Sequence, residues 1–322
     1  MSILLSLVLI VIGFVLLIKG ADFLVSGASS LAKKANISEL TIGLTVVALG
    51  TSAPELVVNL ISSVNGHTDV VFGNIIGSNI FNIFLILGVA GVIYPLSVQK
   101  NSVWKEIPFS LAITVFLFFV LNDRMIIGGD FNRLSQIEGL LLLVLFVGFM
   151  VYVIANSTNT MEQEEIDPIP SFSNTKNGLL ITGGLVGLVI GGKMVVDNAV
   201  TIAEYYQVSQ KMIGLTIIAA GTSLPELATS AVAAFKKRSD IAVGNVIGSN
   251  IFNILFVLAI SSTIKPLNFD TALNIDIYVL LIGTTMLFLF MFTLAKKRLD
   301  RWEAALFLVG FFIYMVYLFI RK

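Results

Sequence analysis

The chain has 322 residues, of which 57% are hydrophobic and only 12% are charged, and its mean hydropathy is +0.95. A charged fraction about half that of an ordinary soluble domain excludes a soluble two-domain enzyme and predicts a polytopic membrane protein. Because 20 Lys and Arg residues balance 20 Asp and Glu residues, no net charge points to a nucleic-acid partner.

The N-terminal segment is an apolar run over residues 3–32, with no positive region before it and no small-residue cleavage site after it. This pattern predicts a spanning helix rather than a secretory signal. Nine further apolar windows of bilayer-spanning length follow, so the sequence predicts an all-α polytopic membrane protein with ten transmembrane helices. The predicted windows are residues 3–32, 40–64, 70–95, 103–121, 136–155, 178–203, 212–235, 241–264, 275–295 and 302–320.

One stretch, residues 156–176, is acidic and contains Pro168 and Pro170, which is typical of a solvated linker. It divides the ten windows into two groups of five. We therefore expect a first five-helix repeat over residues 1–155, an acidic cytoplasmic linker over residues 156–176, and a second, inverted five-helix repeat over residues 177–322.

The two halves repeat each other in sequence with an offset of 171 residues. Residues 43–55 read GLTVVALGTSAPE and residues 214–226 read GLTIIAAGTSLPE, with nine identities in 13 positions. Residues 73–83 read GNIIGSNIFNI and residues 244–254 read GNVIGSNIFNI, with ten identities in 11 positions. Because each half has an odd number of predicted helices, the halves are expected to lie in the membrane with opposite orientations.

The distribution of basic residues predicts which side of the plasma membrane each loop faces. With both termini outside, 12 basic residues fall in cytoplasmic loops and six fall outside, a bias that favours this orientation. The cytoplasmic set is Lys33, Lys34, Lys100, Lys105, Lys176, Lys236, Lys237, Arg238, Lys296, Lys297, Arg298 and Arg301. The outside set is Arg124, Arg133, Lys211, Lys265, Arg321 and Lys322.

A hexad that combines Gly, Pro and Glu occurs in the second window, at residues 50–55, and again in the seventh, at residues 221–226. Its Gly and Pro both weaken a continuous helix, so we expect an interruption and freed backbone carbonyls near Ala48. The final residues of the hexads, Glu55 and Glu226, would lie at membrane depth, where a carboxylate is costly. A Pro kink with a packing role is the alternative, and the recurrence of the hexad argues for a functional site.

The third and eighth windows each carry a polar stripe with i, i+4, i+8 spacing, which places its members along one helical face. The stripes are Asn74, Ser78 and Asn82, and Asn245, Ser249 and Asn253. The Ser and the last Asn of each stripe are favoured as ion ligands, because the stripes can face the interrupted helices. Asn79 and Asn250 lie off the stripes and are expected to form interhelical hydrogen bonds. Close helix packing is expected at Gly73, Gly77, Gly244 and Gly248.

The remaining polar residues are expected to have structural roles. Lys19 and Asp22 could pair along one helix, as could Lys193 and Asp197, and His67 is expected in an exposed loop. With no Cys and a single His, thiolate and imidazole metal sites are excluded. The hexads and stripes offer hard oxygen donors instead, which suit Ca²⁺ and Na⁺, and two carboxylates would neutralise one Ca²⁺.

The two hexads and the two GNxxGSNIFNI segments resemble the α-repeats of the calcium/cation antiporter superfamily, and the nearest resemblance is to the prokaryotic sodium/calcium exchangers. The resemblance implies a secondary active antiporter, not an enzyme, that exchanges Ca²⁺ for Na⁺ across the plasma membrane by alternating access. The first and sixth helices would slide against the others. It implies Ca²⁺ and Na⁺ as substrates in a lipid bilayer, with no cofactor, no nucleic acid and no obligatory protein partner.

The resemblance also implies ion ligands at matching positions of the two halves. They are Ala48 (through its carbonyl), Thr51, Ser52, Glu55, Ser78 and Asn82, and Ala219 (through its carbonyl), Thr222, Ser223, Glu226, Ser249 and Asn253. Some relatives carry Asp at the position of Asn253, so this chain lacks a third carboxyl among its implied ligands. An amide at this position weakens the case for a co-transported K⁺.

Two other functions remain open from the sequence. In the first, H⁺ replaces Na⁺ as the coupling ion of the same antiporter, since two nearby carboxylates can exchange a cation for protons. In the second, from a different class, the chain is a cation channel with an acidic filter. Paired interrupted helices argue against the channel, because they supply two gates around one site.

Overall fold

The computed structural model describes residues 3–99, 103–123, 128, 132–157, 171–207, 219–293 and 296–321. Within these ranges the protein is predominantly helical, and seven helices are long and apolar enough to cross a membrane. An eighth span results if Glu39–Thr51 and Ala53–Asn65, which are bent by 47°, form one span. Two shorter apolar helices lie in the remaining predicted windows. The chain is therefore a multi-pass membrane protein, and the count of ten spans stays a prediction.

Long helices alternate with short ones along the described chain. The α-helices before the linker are α1 (Ile3–Ala35), α2 (Glu39–Ile42), α3 (Ala48–Thr51), α4 (Ala53–Asn65), α5 (Thr68–Ile80), α6 (Leu87–Ile93), α7 (Glu106–Leu121) and α8 (Gln136–Ala155). Those after it are α9 (Asn174–Tyr205), α10 (Ala219–Thr222), α11 (Leu224–Phe235), α12 (Ser239–Phe252), α13 (Ala259–Ile264), α14 (Asn274–Phe290) and α15 (Arg301–Ile320). Wider π-helical turns occur at Gly43–Val47, Phe81–Ile86 and Asn253–Leu258, and a 3₁₀ turn at Thr271–Leu273.

The two longest helices, α1 and α9, pack against each other along a seam of glycines. A Cβ added to Gly20 would lie 2.8 Å from the carbonyl oxygen of Gly184, and one added to Gly191 would lie 2.7 Å from that of Gly13. The helices run antiparallel, because early residues of α1 lie against late residues of α9. Small residues allow this approach of two backbones, and van der Waals packing is what holds helices together in lipid.

Two helical segments occupy the interior of the protein. The segment Thr68–Ile93, which joins α5 to α6 through a π-helical turn, is 78% buried over its most apolar window, and Ser239–Ile264 is 94% buried. The corresponding window of α1 is only 22% buried. Polar side chains of the two interior segments are therefore enclosed by protein rather than by lipid, which is the condition for tolerating them at membrane depth.

The predicted interruption of the hexad helices is confirmed. Ser52 (φ −82°, ψ 9°) separates α3 from α4, and Ser223 (φ −91°, ψ 7°) separates α10 from α11. Pro54 and Pro225 lie in the first turn of the helix that follows, where the missing N–H group leaves no intrahelical bond unmade. The hexads thus end one helix and begin another.

Two short antiparallel strand pairs, which the all-α prediction did not include, join helix ends of the two halves. Leu96–Ser97 pairs with Arg298–Leu299, and Arg133–Leu134 pairs with Leu267–Asn268. The pairing satisfies backbone groups at the ends of helices, where no intrahelical partner is available. The fold is accordingly a helical membrane protein with two small strand pairs.

Candidate ion-binding site

The two repeated glutamates lie in the first turns of α4 and α11, directly after the interruptions. Glu55 and Glu226 are each only 1% exposed. The positive end of a helix dipole favours a carboxylate in the first turn, which offsets part of the cost of enclosing it. The interruption therefore both creates a helix start at membrane depth and supplies a carboxylate to it.

Serine hydroxyls connect the two carboxylates across the halves. Ser52 Oγ donates to Glu226 Oε1 at 2.8 Å, and Ser223 Oγ donates to Glu55 Oε1 at 3.1 Å. Ser249 Oγ lies 3.5 Å from the same oxygen of Glu226. The structure thus brings together hexads that are 171 residues apart in the sequence, with each serine bonded to the glutamate of the other half.

Asparagines of the interior segments hold the threonines of the hexads. Thr51 Oγ1 donates to Asn245 Oδ1 at 3.0 Å, and Asn74 Nδ2 donates to Thr222 Oγ1 at 3.4 Å. Both bonds again cross from one half to the other. The first Asn of each predicted stripe therefore faces the interrupted helices, as the stripe model expects.

Two residues one turn after the glutamates, Asn59 and Ser230, belong to the same network and were not predicted from the sequence. Asn59 Nδ2 donates to the Glu55 carbonyl at 2.7 Å and to Asn74 Oδ1 at 2.8 Å. Ser230 Oγ accepts from Asn245 Nδ2 at 3.0 Å. Their i+4 spacing from the glutamates places them on the same helical face, which is the signal that could have identified them.

Five side-chain oxygens of the implied ligand set are buried and make no hydrogen bond within the described ranges. They are Glu55 Oε2, Glu226 Oε2, Ser78 Oγ, Asn82 Oδ1 and Asn253 Oδ1. A buried polar atom left without a partner costs about 1–3 kcal/mol, so such atoms call for another partner. Carboxylate, amide and hydroxyl oxygens are what a hard cation such as Ca²⁺ takes as ligands. The chemistry of these atoms fits a hard cation.

The site combines little charge with many neutral oxygens. Among the residues that the structure describes, no group of three or more His, Cys, Asp or Glu side chains is placed to hold a metal ion. Two carboxylates with neutral neighbours bind a cation less tightly than a carboxylate cluster does, and an ion that crosses a membrane must also leave its site.

The family comparison decides the identity of the chain. The family model described as "Sodium/calcium exchanger protein" matches residues 5–155 and 176–320. The chain belongs to the sodium/calcium exchanger family. This is a family of transporters rather than enzymes, and its two matched segments contain both hexads and both polar stripes.

Individual relatives resemble this exchanger over most of their length. The putative antiporter CaxA of Alkalimonas amylolytica is 39% identical over 299 residues, which cover 89% of this chain and 90% of that protein. The sodium/calcium exchanger MaX1 of Methanosarcina acetivorans is 30% identical over 321 residues, which cover 89% and 91%. A structure of the sodium-calcium exchanger NCX_Mj, soaked with Na⁺ and Ca²⁺, is similar with a TM-score of 0.84 and 34% identity, covering 98% of this exchanger and 99% of that chain.

The carbonyl that is expected to be freed near Ala48 is not that of Ala48 itself. The Ala48 carbonyl is not freed, because it accepts the Ser52 N–H at 3.0 Å and the Thr51 hydroxyl at 3.3 Å. A continuous helix would bond the N–H of residue 54 to the carbonyl of Gly50, two residues after Ala48, and Pro54 has no N–H to make this bond across the interruption. Ala48 and its counterpart Ala219, which begins α10, stay predicted ligands.

Of the two ion pairs that the sequence predicts, one in α1 and one in α9, only the second is present among the described residues. The predicted pair of Lys19 and Asp22 is wrong, since Asp22 Oδ1 lies 2.6 Å from Nζ of Lys236 at the end of α11. That partner reaches Asp22 from a neighbouring helix end, whereas Lys19 is exposed. The pair of Lys193 and Asp197 is confirmed at 3.1 Å. His67 is exposed, as predicted.

The predicted glycine contacts are confirmed in one of the two interior segments. A Cβ added to Gly244 or Gly248 would lie within 2.9 Å of atoms in α2 or α3. A Cβ added to Gly73 or Gly77 would have no described atom within 4 Å. Most of the segment that would correspond to α2 and its neighbours, residues 211–218, lies outside the described ranges, so close packing at Gly73 and Gly77 stays a prediction.

Proposed function

We propose that this exchanger is a secondary active antiporter that exchanges Ca²⁺ for Na⁺ across the plasma membrane by alternating access. The observation that carries the proposal is the enclosed pair of carboxylates, Glu55 and Glu226, together with the buried oxygens of the ligand set that have no hydrogen-bond partner among the described residues. The names of MaX1 and of NCX_Mj, both sodium/calcium exchangers, support the choice of ions. The proposed ligands are the twelve residues that the resemblance implies.

The proposal includes ten spanning helices arranged as two inverted repeats. Residues 1–155 and 177–322 form the repeats, and residues 156–176 form the cytoplasmic linker, with both termini outside. The cross-half contacts of the site support this arrangement, because the two serine–glutamate bonds exchange partners under the 171-residue offset. A two-fold axis generates such reciprocal contacts, and inverted repeats are related by an axis in the membrane plane. Labelling of a Cys introduced at Glu164 by an impermeant reagent from outside would contradict this topology.

The charge of the site leads to a specific form of exchange. Two carboxylates neutralise one Ca²⁺, whereas three Na⁺ ions would leave one net positive charge in the site. If three Na⁺ exchange for one Ca²⁺, transport moves net charge and responds to membrane voltage. The amide of Asn253 adds a neutral oxygen and no third negative charge, and a smaller negative charge in low dielectric holds fewer cations. We therefore expect no requirement for K⁺.

Coupling to H⁺ is the alternative that one observation favours. Glu55 Oε2 and Glu226 Oε2 have no hydrogen-bond partner in the described structure, and a proton on either oxygen would also relieve the unpaired carboxylate. Under this alternative two protons replace the Na⁺ ions, and the site exchanges charge for equal charge.

The test is uptake of radiolabelled Ca²⁺ into proteoliposomes that contain the purified full-length protein. A Na⁺ gradient directed outward is expected to drive uptake, with K⁺ present or replaced by choline. Uptake should increase with an inside-positive voltage that is set without K⁺. A pH gradient alone is expected to drive none.

Three Na⁺ leaving for one Ca²⁺ entering carry one net positive charge outward, so an inside-positive voltage speeds uptake and an inside-negative voltage slows it.

Each other outcome of the transport assay points to a different function. Uptake driven by a pH gradient without Na⁺ would favour H⁺ coupling, and uptake that ignores voltage would argue for electroneutral exchange. An absolute requirement for K⁺ would overturn the interpretation of Asn253. Uncoupled flux at rates beyond those of a carrier would indicate a channel.

A further inference from the structure

Two asparagines that are not among the proposed ligands, Asn79 and Asn250, bond to each other's backbone across the halves. Asn79 Nδ2 donates to the Asn250 carbonyl at 3.3 Å, and Asn250 Nδ2 donates to the Asn79 carbonyl at 3.4 Å. The interhelical bonds expected of these residues are thereby confirmed. A backbone carbonyl can only accept, so each amide nitrogen must face it, and each amide oxygen must face away.

The oxygens of these two amides accept from the proposed ligand amides. Asn250 Oδ1 accepts from Asn82 Nδ2 at 2.9 Å, and Asn79 Oδ1 accepts from Asn253 Nδ2 at 3.0 Å. Because the nitrogen of each ligand amide is held in this way, its oxygen must point in the other direction. Those are the oxygens of Asn82 and Asn253 that have no hydrogen-bond partner among the described residues.

We propose that Asn79 and Asn250 are positioning residues that keep the amide oxygens of Asn253 and Asn82 turned toward the transported ion. A side-chain amide has a nitrogen and an oxygen of nearly equal size, so it can turn over at little steric cost, and its NH₂ group would repel a cation. Each backbone carbonyl thus orients one of these asparagines, which in turn orients one ligand amide. We call each such chain of two hydrogen bonds a relay. The inference rests on the proposed function, because it takes Asn82 and Asn253 as ligands.

Burial makes these relays effective. Asn79 is 0% exposed and Asn250 is 2% exposed, so bulk water does not reach either amide to replace its hydrogen bonds. Each ligand amide is also oriented by a residue of the other half of the chain. The orientation of the oxygens therefore depends on the two interior segments staying in register with each other.

A double-mutant cycle tests the relay through its effect on ion affinity. Asn79→Leu removes both bonding groups at similar volume and is expected to lower Ca²⁺ affinity about tenfold, as loss of an outer-shell partner typically does. The double variant Asn79→Leu/Asn253→Leu is expected to bind no more weakly than Asn253→Leu alone, because Asn79 acts through Asn253. Affinity is measured by equilibrium binding of radiolabelled Ca²⁺ to the purified full-length protein, and KM for Ca²⁺ should change more than the maximal transport rate.

A matched control separates positioning from stability. Asn122 and Asn274 form a reciprocal amide pair at 2.8 and 3.0 Å elsewhere in the protein. Asn122→Leu removes an equivalent amide pair and is expected to lower thermal stability while leaving Ca²⁺ affinity within about twofold of the wild type. If Asn79→Leu does not fold, the counterpart cycle of Asn250→Leu with Asn82→Leu gives the same test.

Three outcomes would overturn the proposal. The first is additive losses of affinity in both cycles, and the second is a loss in Asn122→Leu as large as that in Asn79→Leu. The third is a wild-type protein that binds no Ca²⁺, since the amides would then have no such ligand to face. A wild type that binds Ca²⁺ but does not transport it would overturn the proposed function alone, and the cycles would still be interpretable from binding.

Discussion

The proposed ion site and the helix ends around it differ in how closely the two halves repeat each other. Each residue of the proposed ligand set has the same residue type at its counterpart 171 positions away. The ion pair of Asp22 and Lys236 has no such counterpart, because the equivalent positions hold Lys193 and Asn65. The proposed ligands are therefore the same groups in both halves, whereas this contact at the helix ends differs between them.

Residues next to the ligands show an intermediate behaviour. Asn59 and Ser230 occupy equivalent positions one turn after the glutamates, yet one is an amide and the other a hydroxyl. Both nevertheless bond to the first Asn of the stripe in their own half, at 2.8 and 3.0 Å. Each half thus keeps a bond to its own stripe Asn, but Asn59 donates to it whereas Ser230 accepts from it.

The largest effect is expected at the carboxylates, where the halves are identical. Glu55→Gln and Glu226→Gln each remove half of the formal charge of the site, and a divalent ion depends on that charge more than a monovalent ion does. Each variant is expected to lose more than about a hundredfold in Ca²⁺ transport, at or beyond the upper end of what outer-shell changes cause. Uptake of radiolabelled Ca²⁺ into proteoliposomes measures the loss.

A buried carboxylate outside the site provides the matched control. Glu303 is 0% exposed and caps the start of α15 through a capping box. Glu303→Gln is expected to change stability more than transport, because Glu303 caps a helix outside the site. The loss of stability should be limited, since an amide retains one acceptor oxygen. Transport at wild-type rates in either glutamine variant of the site would show that the repeated hexads do not hold the ion.

A smaller and again symmetric effect is expected at the glycine seam of α1 and α9. Gly20→Ala and Gly191→Ala place a Cβ within 2.8 Å of a backbone carbonyl oxygen of the partner helix. Overpacking of this kind costs about 1–3 kcal/mol, so both variants should lower the unfolding midpoint in detergent by similar amounts. Gly183→Ala is the control, because its Cβ would meet no described atom within 4 Å, and it should stabilise α9 slightly. Unequal losses at Gly20 and Gly191 would contradict a symmetric seam.

The sequence predicted the parts of the site that local chemistry determines. Gly and Pro in the hexads predicted the interruptions at Ser52 and Ser223, and the i+4 spacing predicted the polar faces of the interior segments. These features follow from the covalent chemistry of a few neighbouring residues. The expectation located the freed carbonyl only as near Ala48, and the carbonyl four residues before the nitrogen of Pro54 is that of Gly50.

The same reasoning could not predict contacts between residues that are far apart in the sequence. Lys19 was the nearest basic residue to Asp22 along the helix, but the partner is Lys236, more than 200 positions away. The same holds for the two strand pairs, whose residues pair only because the helix ends of the two halves meet. A sequence repeat predicts which residues are equivalent, and only the three-dimensional arrangement shows which of them touch.

The smallest effect is expected at the ion pair that breaks the symmetry. Lys236 Nζ lies 2.6 Å from Asp22 Oδ1 and donates to Ser26 Oγ at 2.7 Å, so it joins the end of α11 to α1. The two side chains of the pair are 28% and 41% exposed, and a pair so open to solvent contributes about 0–1 kcal/mol. Lys236→Met is therefore expected to change Ca²⁺ transport by no more than about fivefold.

The control for this prediction is Lys193, which occupies the position equivalent to Asp22 in the other half. Lys193 pairs with Asp197 within α9 and forms no ion pair with another helix in the described part of the chain, so Lys193→Met should leave transport unchanged. Because Lys236 is predicted to face the cytoplasm, its loss should alter the apparent Ca²⁺ affinity in inside-out vesicles and not in right-side-out vesicles. Asp22→Asn should reproduce the effect, and the double variant should add nothing to it, since both changes remove one bond. Equal effects of Lys236→Met and Lys193→Met would mean that the ion pair between α1 and α11 does not affect transport. The asymmetry of the helix ends would then have no functional consequence.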